Sequence, residues 1–152
     1  MPLLERFYLA FAARDVVSMN ALYHPEARFH DPVFRSLDAR EVRAMWAMLL
    51  SQGRDLHVTY KVLQEDDSGG EVHWEARYTF STTGRPVHNR ISAAFTFRDG
   101  LIHTHRDTFS LWRWSRQALG ASGLLLGWSP LIANAVHRKA RKALDRQLQR
   151  VT

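Results

Sequence analysis

The stretch LIHTHRDTFSLWRW, Leu101 to Trp114, sets His103, His105 and Asp107 at alternate positions before a Trp-Arg-Trp exit. Side chains two apart on a strand share a face, so a strand here points all three polar groups the same way. The preceding sequence fits that reading. Leu56 to Gln64 alternates Leu56, Val58, Tyr60 and Val62 with His57, Thr59 and Lys61. The acidic turn EDDSGG leads into Val72 to Ser81, with Val72, Trp74, Ala76, Tyr78 and Phe80 aligned. The turn TTGRP leads into Val87 to Arg98, with Ile91, Ala93, Phe95 and Phe97 on one face. Clean alternation across short turns describes antiparallel neighbours with one buried face.

Helices come first in the chain. Leu3, Leu4, Phe7, Tyr8 and Phe11 have amphipathic helical spacing after Pro2. Asp15 can cap a short second helix carrying Val16, Met19, Leu22 and Tyr23, which stops before Pro25. Ala27 to Asp31 reads as a strand ending at Pro32. Asp38 and Glu41 form a capping-box pattern opening a third helix with Val42, Met45, Trp46 and Leu49 on one face, closed at Gly53. Helices followed by a strand meander predict an α+β domain, the helices packed on one face of a bent sheet.

At 152 residues the chain is long enough to bury a core, and its apolar (45%) and charged (24%) fractions are those of a globular protein. Absent cysteine excludes disulfides, iron–sulfur clusters and thiol catalysis. Glu5 and Arg6 interrupt the apolar N-terminus, so no signal-peptide core is expected, and a cytoplasmic location is. The net charge of +6 is unevenly placed: Met1 to Ser110 is −1 and Leu111 to Thr152 is +7. A neutral domain with a basic tail argues against nucleic acid and for a tail with its own role, or a solvated helix face. Nucleotide-loop, serine-hydrolase and zincin motifs are absent.

Strand register decides which side chains share the interior. A two-residue turn at Asp99-Gly100 would set Phe97 across from Ile102 and bring Thr104 and Arg106 to the aromatic face. A three-residue turn, Arg98-Asp99-Gly100, with a left-handed glycine would pair Phe97 with Leu101. It would set His103, His105, Asp107 and Phe109 beside Phe95, Ala93, Ile91 and Asn89. The second is favoured, because it buries Phe109 and leaves Arg106 outside. His105 and Asp107 then project into a space walled by Trp74, Tyr78, Ile91 and Ala93, where desolvation makes carboxyl and imidazole usable as acid and base near neutral pH. The alternative is a satisfied polar pair that fixes register. His103, nearer the turn, belongs to the rim. Asp31 shares a face with Ala27 and Phe29 and is either a cavity residue or an Asp-Pro turn capping local amides. His-x-His-x-Asp without a further ligand is a weak metal signal, and no metal or cofactor is expected.

The order FYLAFAARD, ALYHPEARFHDPV, the Trp46 helix, HWEARYTF and FRDGLIHTHRDTF resembles the NTF2-like superfamily, specifically its SnoaL-like and ketosteroid-isomerase-like branch, over about residues 3 to 112. The resemblance implies a cone of curved sheet and helices around an apolar pocket, a homodimer, and the bulged-turn register. It implies a small apolar ligand, polyketide- or steroid-like, contacted by Trp46, Trp74, Tyr78, Ile91, Ala93 and Phe109. It also implies an isomerase, cyclase or dehydratase using Asp31, His105 and Asp107, or a member without chemistry. Two departures count. Ala93 occupies the position from which an acid donates to the oxyanion in ketosteroid isomerase, and the Arg-x-Asp set of epoxide hydrolases is not reproduced.

The tail departs from the compact pattern, which divides the chain into a domain of 1–114 and an extension of 115–152. GASGLLLGWSPLI is too short to span a bilayer. Ala133 to Arg150 has helical pattern, with Ala135, Val136, Leu144 and Leu148 among Arg138, Lys139, Arg141, Lys142 and Arg146. Two readings stay open: the apolar stretch Leu124 to Ile132 covers the cone or a partner subunit, or the tail makes peripheral membrane contact.

Overall fold

The computed structural model describes residues 1–121 and 129–150. It is an α+β fold in which one six-stranded, curved sheet carries helices on its inner face. Helices α1 (Leu3–Ala12) and α2 (Val16–Asn20) lead to β1 (Tyr23–His30), the short β2 (Leu37–Asp38) and α3 (Ala39–Gln52). Strands β3 (His57–Asp66), β4 (Gly69–Phe80), β5 (Arg85–Arg98) and β6 (Leu101–Thr108) follow, then α4 (Leu111–Leu119) and α5 (Pro130–Arg150). The strand order is β2-β1-β6-β5-β4-β3, with β1 parallel to β6 and the other pairs antiparallel. Helix α4 runs through position 114, where the sequence pattern divides. Much of the apolar stretch 124–132 lies outside the described residues.

The β5–β6 hairpin differs from both expected registers. Its turn is the two-residue kind: Arg98 pairs with Leu101, Phe97 with Ile102, and Asp99 and Gly100 have φ of 55° and 75°, as a primed turn requires. The favoured three-residue turn is therefore overturned. Thr96, however, pairs with Thr104, so β6 spends one extra residue, His103, on a bulge. From there the faces are exchanged. Phe95 faces His105 and Ala93 faces Asp107, one pair out of step with the expected neighbours. A two-residue turn alone would have sent both polar side chains outward; the bulge turns them back, leaving His105 1% and Asp107 3% exposed.

Helices close the concave side. In α1, Leu3, Leu4, Phe7, Tyr8 and Phe11 are all buried. The amide of Leu4, an unpaired first-turn donor, is taken up by the Glu65 carboxylate from β3. Helix α3 opens on the Asp38–Glu41 capping box. Its other end is held by Arg14, whose guanidinium donates to the carbonyls of Gly53 (2.7 Å) and Leu50 (2.5 Å). A cation there satisfies orphan carbonyls and opposes the helix dipole. Arg14→Ala is expected to cost about 2 kcal/mol, read as a lower urea midpoint at unchanged slope.

Helix α5 lies along α3. Leu144 is fully buried, Leu148 nearly so, and Ala140 and Ala143 pack on the same core. His137 Nδ1 donates to the Val33 carbonyl at 2.8 Å, and Arg141 bridges Glu41 and Asp145. Ala140, Ala143, Leu144 and Leu148 are therefore spent on their own domain, while Leu131 (79% exposed), Arg138, Lys139, Lys142, Arg146 and Arg150 face solvent. No described helix is long and apolar enough to cross a membrane.

Candidate active site

Aromatic rings fill the concave interior. Phe7, Phe29, Trp46, Phe95 and Tyr23 surround the His105 imidazole with ring centroids 4.2–6.2 Å away. Within this packing runs a chain of hydrogen bonds. Trp46 Nε1 lies 2.9 Å from the Tyr23 hydroxyl, Tyr23 Oη 2.8 Å from His105 Nδ1, and His105 Nε2 2.9 Å from Asp107 Oδ1. Trp74 Nε1 reaches the same carboxylate oxygen at 3.4 Å.

The direction of this chain follows from its ends. An indole N–H only donates, so Tyr23 accepts from Trp46 and its own proton goes to His105 Nδ1. The remaining imidazole proton sits on Nε2 and is donated to Asp107. Proton positions assigned in this way satisfy every member of the chain. Trp74 and His105 thus converge on Asp107 Oδ1, with Trp46 acting one step back through Tyr23, while Oδ2 has no hydrogen-bond partner among the described residues. The sequence reading missed Tyr23 as part of the site, because Pro25 concealed the start of β1.

Asp31 forms the turn, one of the two readings open for it. Its Oδ1 accepts from the amides of Val33 (2.7 Å) and Phe34 (2.5 Å), and its amide donates to the Phe34 carbonyl, an Asp-Pro turn. The carboxyl is also drawn into the interior. Desolvation raises its pKa to about 7, aided by the charge of Asp107 and opposed by the two amide bonds. The negative field of Asp107 is felt by two tyrosines as well. Burial first, then Asp107, pushes Tyr8 well above the usual phenol range; Tyr23 is pushed up by burial, with Trp46's hydrogen bond opposing and Asp107 adding. Tyr8 is the second residue the sequence reading missed. It is fully buried, stacked on Tyr60 at 5.3 Å, and its hydroxyl has no hydrogen-bond partner among the described residues. A single phenol on the otherwise hydrocarbon buried face of α1 was the available signal.

The expected ligand-contacting residues separate. Trp46, Trp74, Ile91 and Ala93 are buried around the relay. Tyr78 accepts from Trp114 Nε1 at 2.7 Å, in a smaller cluster with Val87 and Ala118 under α4, and Phe109 lies half-buried between the two clusters. His103 stands at the rim, edge-on to His24. Own side chains pack the interior around His105, and two clefts of about 500 Å³ lie beside Tyr78 and Pro86 and beside Arg28 and Arg106. No described cluster of His, Asp and Glu is suited to a metal ion.

Residues 4–105 match the family model of the SnoaL-like domain. Among solved structures, IdmH of Streptomyces antibioticus, a proposed polyketide cyclase, superposes with a TM-score of 0.64 at 23% identity, covering 78% of this chain and 96% of that one. TsrD of Streptomyces laurentii gives 0.61 at 26% identity over 78% and 92%. An LEH-like epoxide hydrolase of M. tuberculosis gives 0.58 at 16% identity over 87% and 93%. No curated protein matches the sequence significantly.

Proposed function

Because the chain belongs to the SnoaL-like domain family, we propose that it is a cofactor-free acid–base enzyme of cyclase, isomerase or dehydratase type, acting on an apolar, polyketide- or steroid-like molecule. The observation that carries this reading is the buried relay from Trp46 through Tyr23 to His105, in which His105 and Trp74 both donate to one oxygen of Asp107 and the other oxygen has no hydrogen-bond partner among the described residues. Asp107 is the base that removes a proton from carbon. His105 orients it and steadies its charge. Asp31, still protonated near neutral pH, returns a proton at a second position. Tyr8 donates to an oxygen of the ligand. The reading includes the homodimer that the family resemblance implies. For the tail, it keeps contact with anionic surfaces through the cations of α5, whose Ala140, Ala143, Leu144 and Leu148 are already packed on the domain.

A second reading is a non-catalytic binding or assembly module whose relay serves stability. The close ring packing around His105 favours it, since ligand entry requires the interior to open.

Hydrogen–deuterium exchange separates the two. Polycyclic ketones and aldehydes with acidic C–H bonds are incubated with the protein in D2O and followed by NMR. The enzyme reading expects exchange at one carbon, its turnover falling as pH rises through about 7, where Asp31 loses its proton. A compound that binds yet exchanges no faster than in buffer supports the module.

A further inference from the structure

We infer that the outer face of the sheet carries a binding site for a small oxyanion, a phosphate or carboxylate group, between β1 and β6. Its outward side chains differ from those of the interior relay, although the lining of its cleft includes His105, whose side chain lies on the other face of the sheet.

An open cleft of about 500 Å³ is lined there by Arg28, His30, Ser36, Thr104 and Arg106, with Phe29 and His105 at its floor. The side chains of those last two point inward and are buried, so the outward groups are cationic or hydroxyl-bearing. Register sets them side by side: Arg28 is beside Thr104, and His30 beside Arg106. The Thr104 hydroxyl lies 2.6 Å from that of Thr96, anchoring one corner. The other corner is the loop before β2, pinned by the Asp31 turn, in which Ser36 adopts φ of 58°. A serine held in the left-handed region is sparsely populated backbone that its surroundings must maintain.

The charges there are uncompensated. The guanidinium groups of Arg28, Arg35 and Arg106 have neither an ion pair nor a hydrogen bond among the described residues. Asp38, the acid in register with Arg28, is engaged in capping α3. Burial, then the charges of Arg106 and Arg35, hold the His30 imidazole below its ordinary range. Like charges on neighbouring strands repel, and an oxyanion among them converts that repulsion into charge-assisted hydrogen bonds.

Calorimetry of the full chain with inorganic phosphate, glycerol phosphate and acetate at matched ionic strength, together with NMR of the His30 ring, tests the site. Saturable binding is expected, with the His30 titration midpoint moving up as the anion offsets Arg106 and Arg35. Arg28→Ala and Arg106→Ala, both at exposed positions, are each expected to weaken binding about tenfold. Tighter glycerol phosphate than free phosphate would point to an ester ligand, and equal affinity to the free anion. Heats no larger than the ionic-strength control overturn the site, as does binding that both variants leave unchanged. A shift of the variants from dimer to monomer without any anion effect also overturns it, marking the face as a contact between copies.

Discussion

Asp107→Asn is expected to lower proton-transfer turnover by about 10²–10⁴-fold, the usual contribution of a positioned acid or base, while the fold survives. The amide is isosteric, and its oxygen can still accept from His105 Nε2 and Trp74 Nε1, now 2.9 and 3.4 Å from Oδ1. What is lost is the charge that makes the unpartnered oxygen a base. Tyr8→Phe gives the complementary result. Its hydroxyl is buried without a partner among the described residues, so removing it is neutral or stabilising by about 1 kcal/mol. If it touches a ligand, turnover falls with it. The assignment fails if both variants retain full exchange activity. Unaltered ligand binding, with effects on melting temperature alone, would instead identify a structural relay.

Asp31→Asn is expected to raise stability at pH 8 by about 2–4 kcal/mol and to leave it unchanged at pH 4. In the folded chain Asp31 has a pKa of about 7, against about 3.9 for an unfolded aspartate, so the native state holds this proton more tightly. Stability is then greatest where the carboxyl is neutral in both states, below pH about 4. It declines as pH rises toward 7 and is flat above. Each unit of difference is worth about 1.4 kcal/mol, reduced here because the side chain is partly exposed. Asparagine keeps an oxygen for the Val33 and Phe34 amides and removes the charge. Urea midpoints at pH 4, 6 and 8 measure the effect. Parallel curves for the two proteins would mean that the carboxyl is not held protonated.

Helices α1 to α3 and the four-strand meander were legible because each rests on local chemistry: the Asp15 cap, the Asp38–Glu41 box, and uninterrupted alternation from Val72 to Phe80. The α+β class followed from their order. The site was legible only in part. His105 and Asp107 do lie inside, but through the less favoured two-residue turn combined with a bulge that neither candidate register contained. One extra residue at His103 leaves no compositional trace. Strand β1 begins four residues before its expected start because its pairing with β6 is irregular between Tyr23 and Arg28, and Pro25 is tolerated where the ladder is broken. With the strand start hidden, Tyr23 could not be placed beside a histidine 82 positions away. The filling of the cone was equally illegible, since rings that line a cavity and rings that fill it have the same pattern.

The parallel pairing of β1 with β6 bears on the order in which the chain folds. Tyr23 meets Ile102 and Phe29 meets His105, across the whole length of α3 and the meander. Closing so long a loop carries an entropic cost before any contact rewards it, and such non-local pairings slow folding. The hairpins β3–β4, β4–β5 and β5–β6 can form from neighbouring sequence; the β1–β6 seam cannot. His105 and Asp107 thus arrive on a locally formed hairpin, but the imidazole receives the Tyr23 proton only when the most distant strands meet. The relay is complete in the native state alone, so partly folded forms hold Asp107 without the chain that orients it.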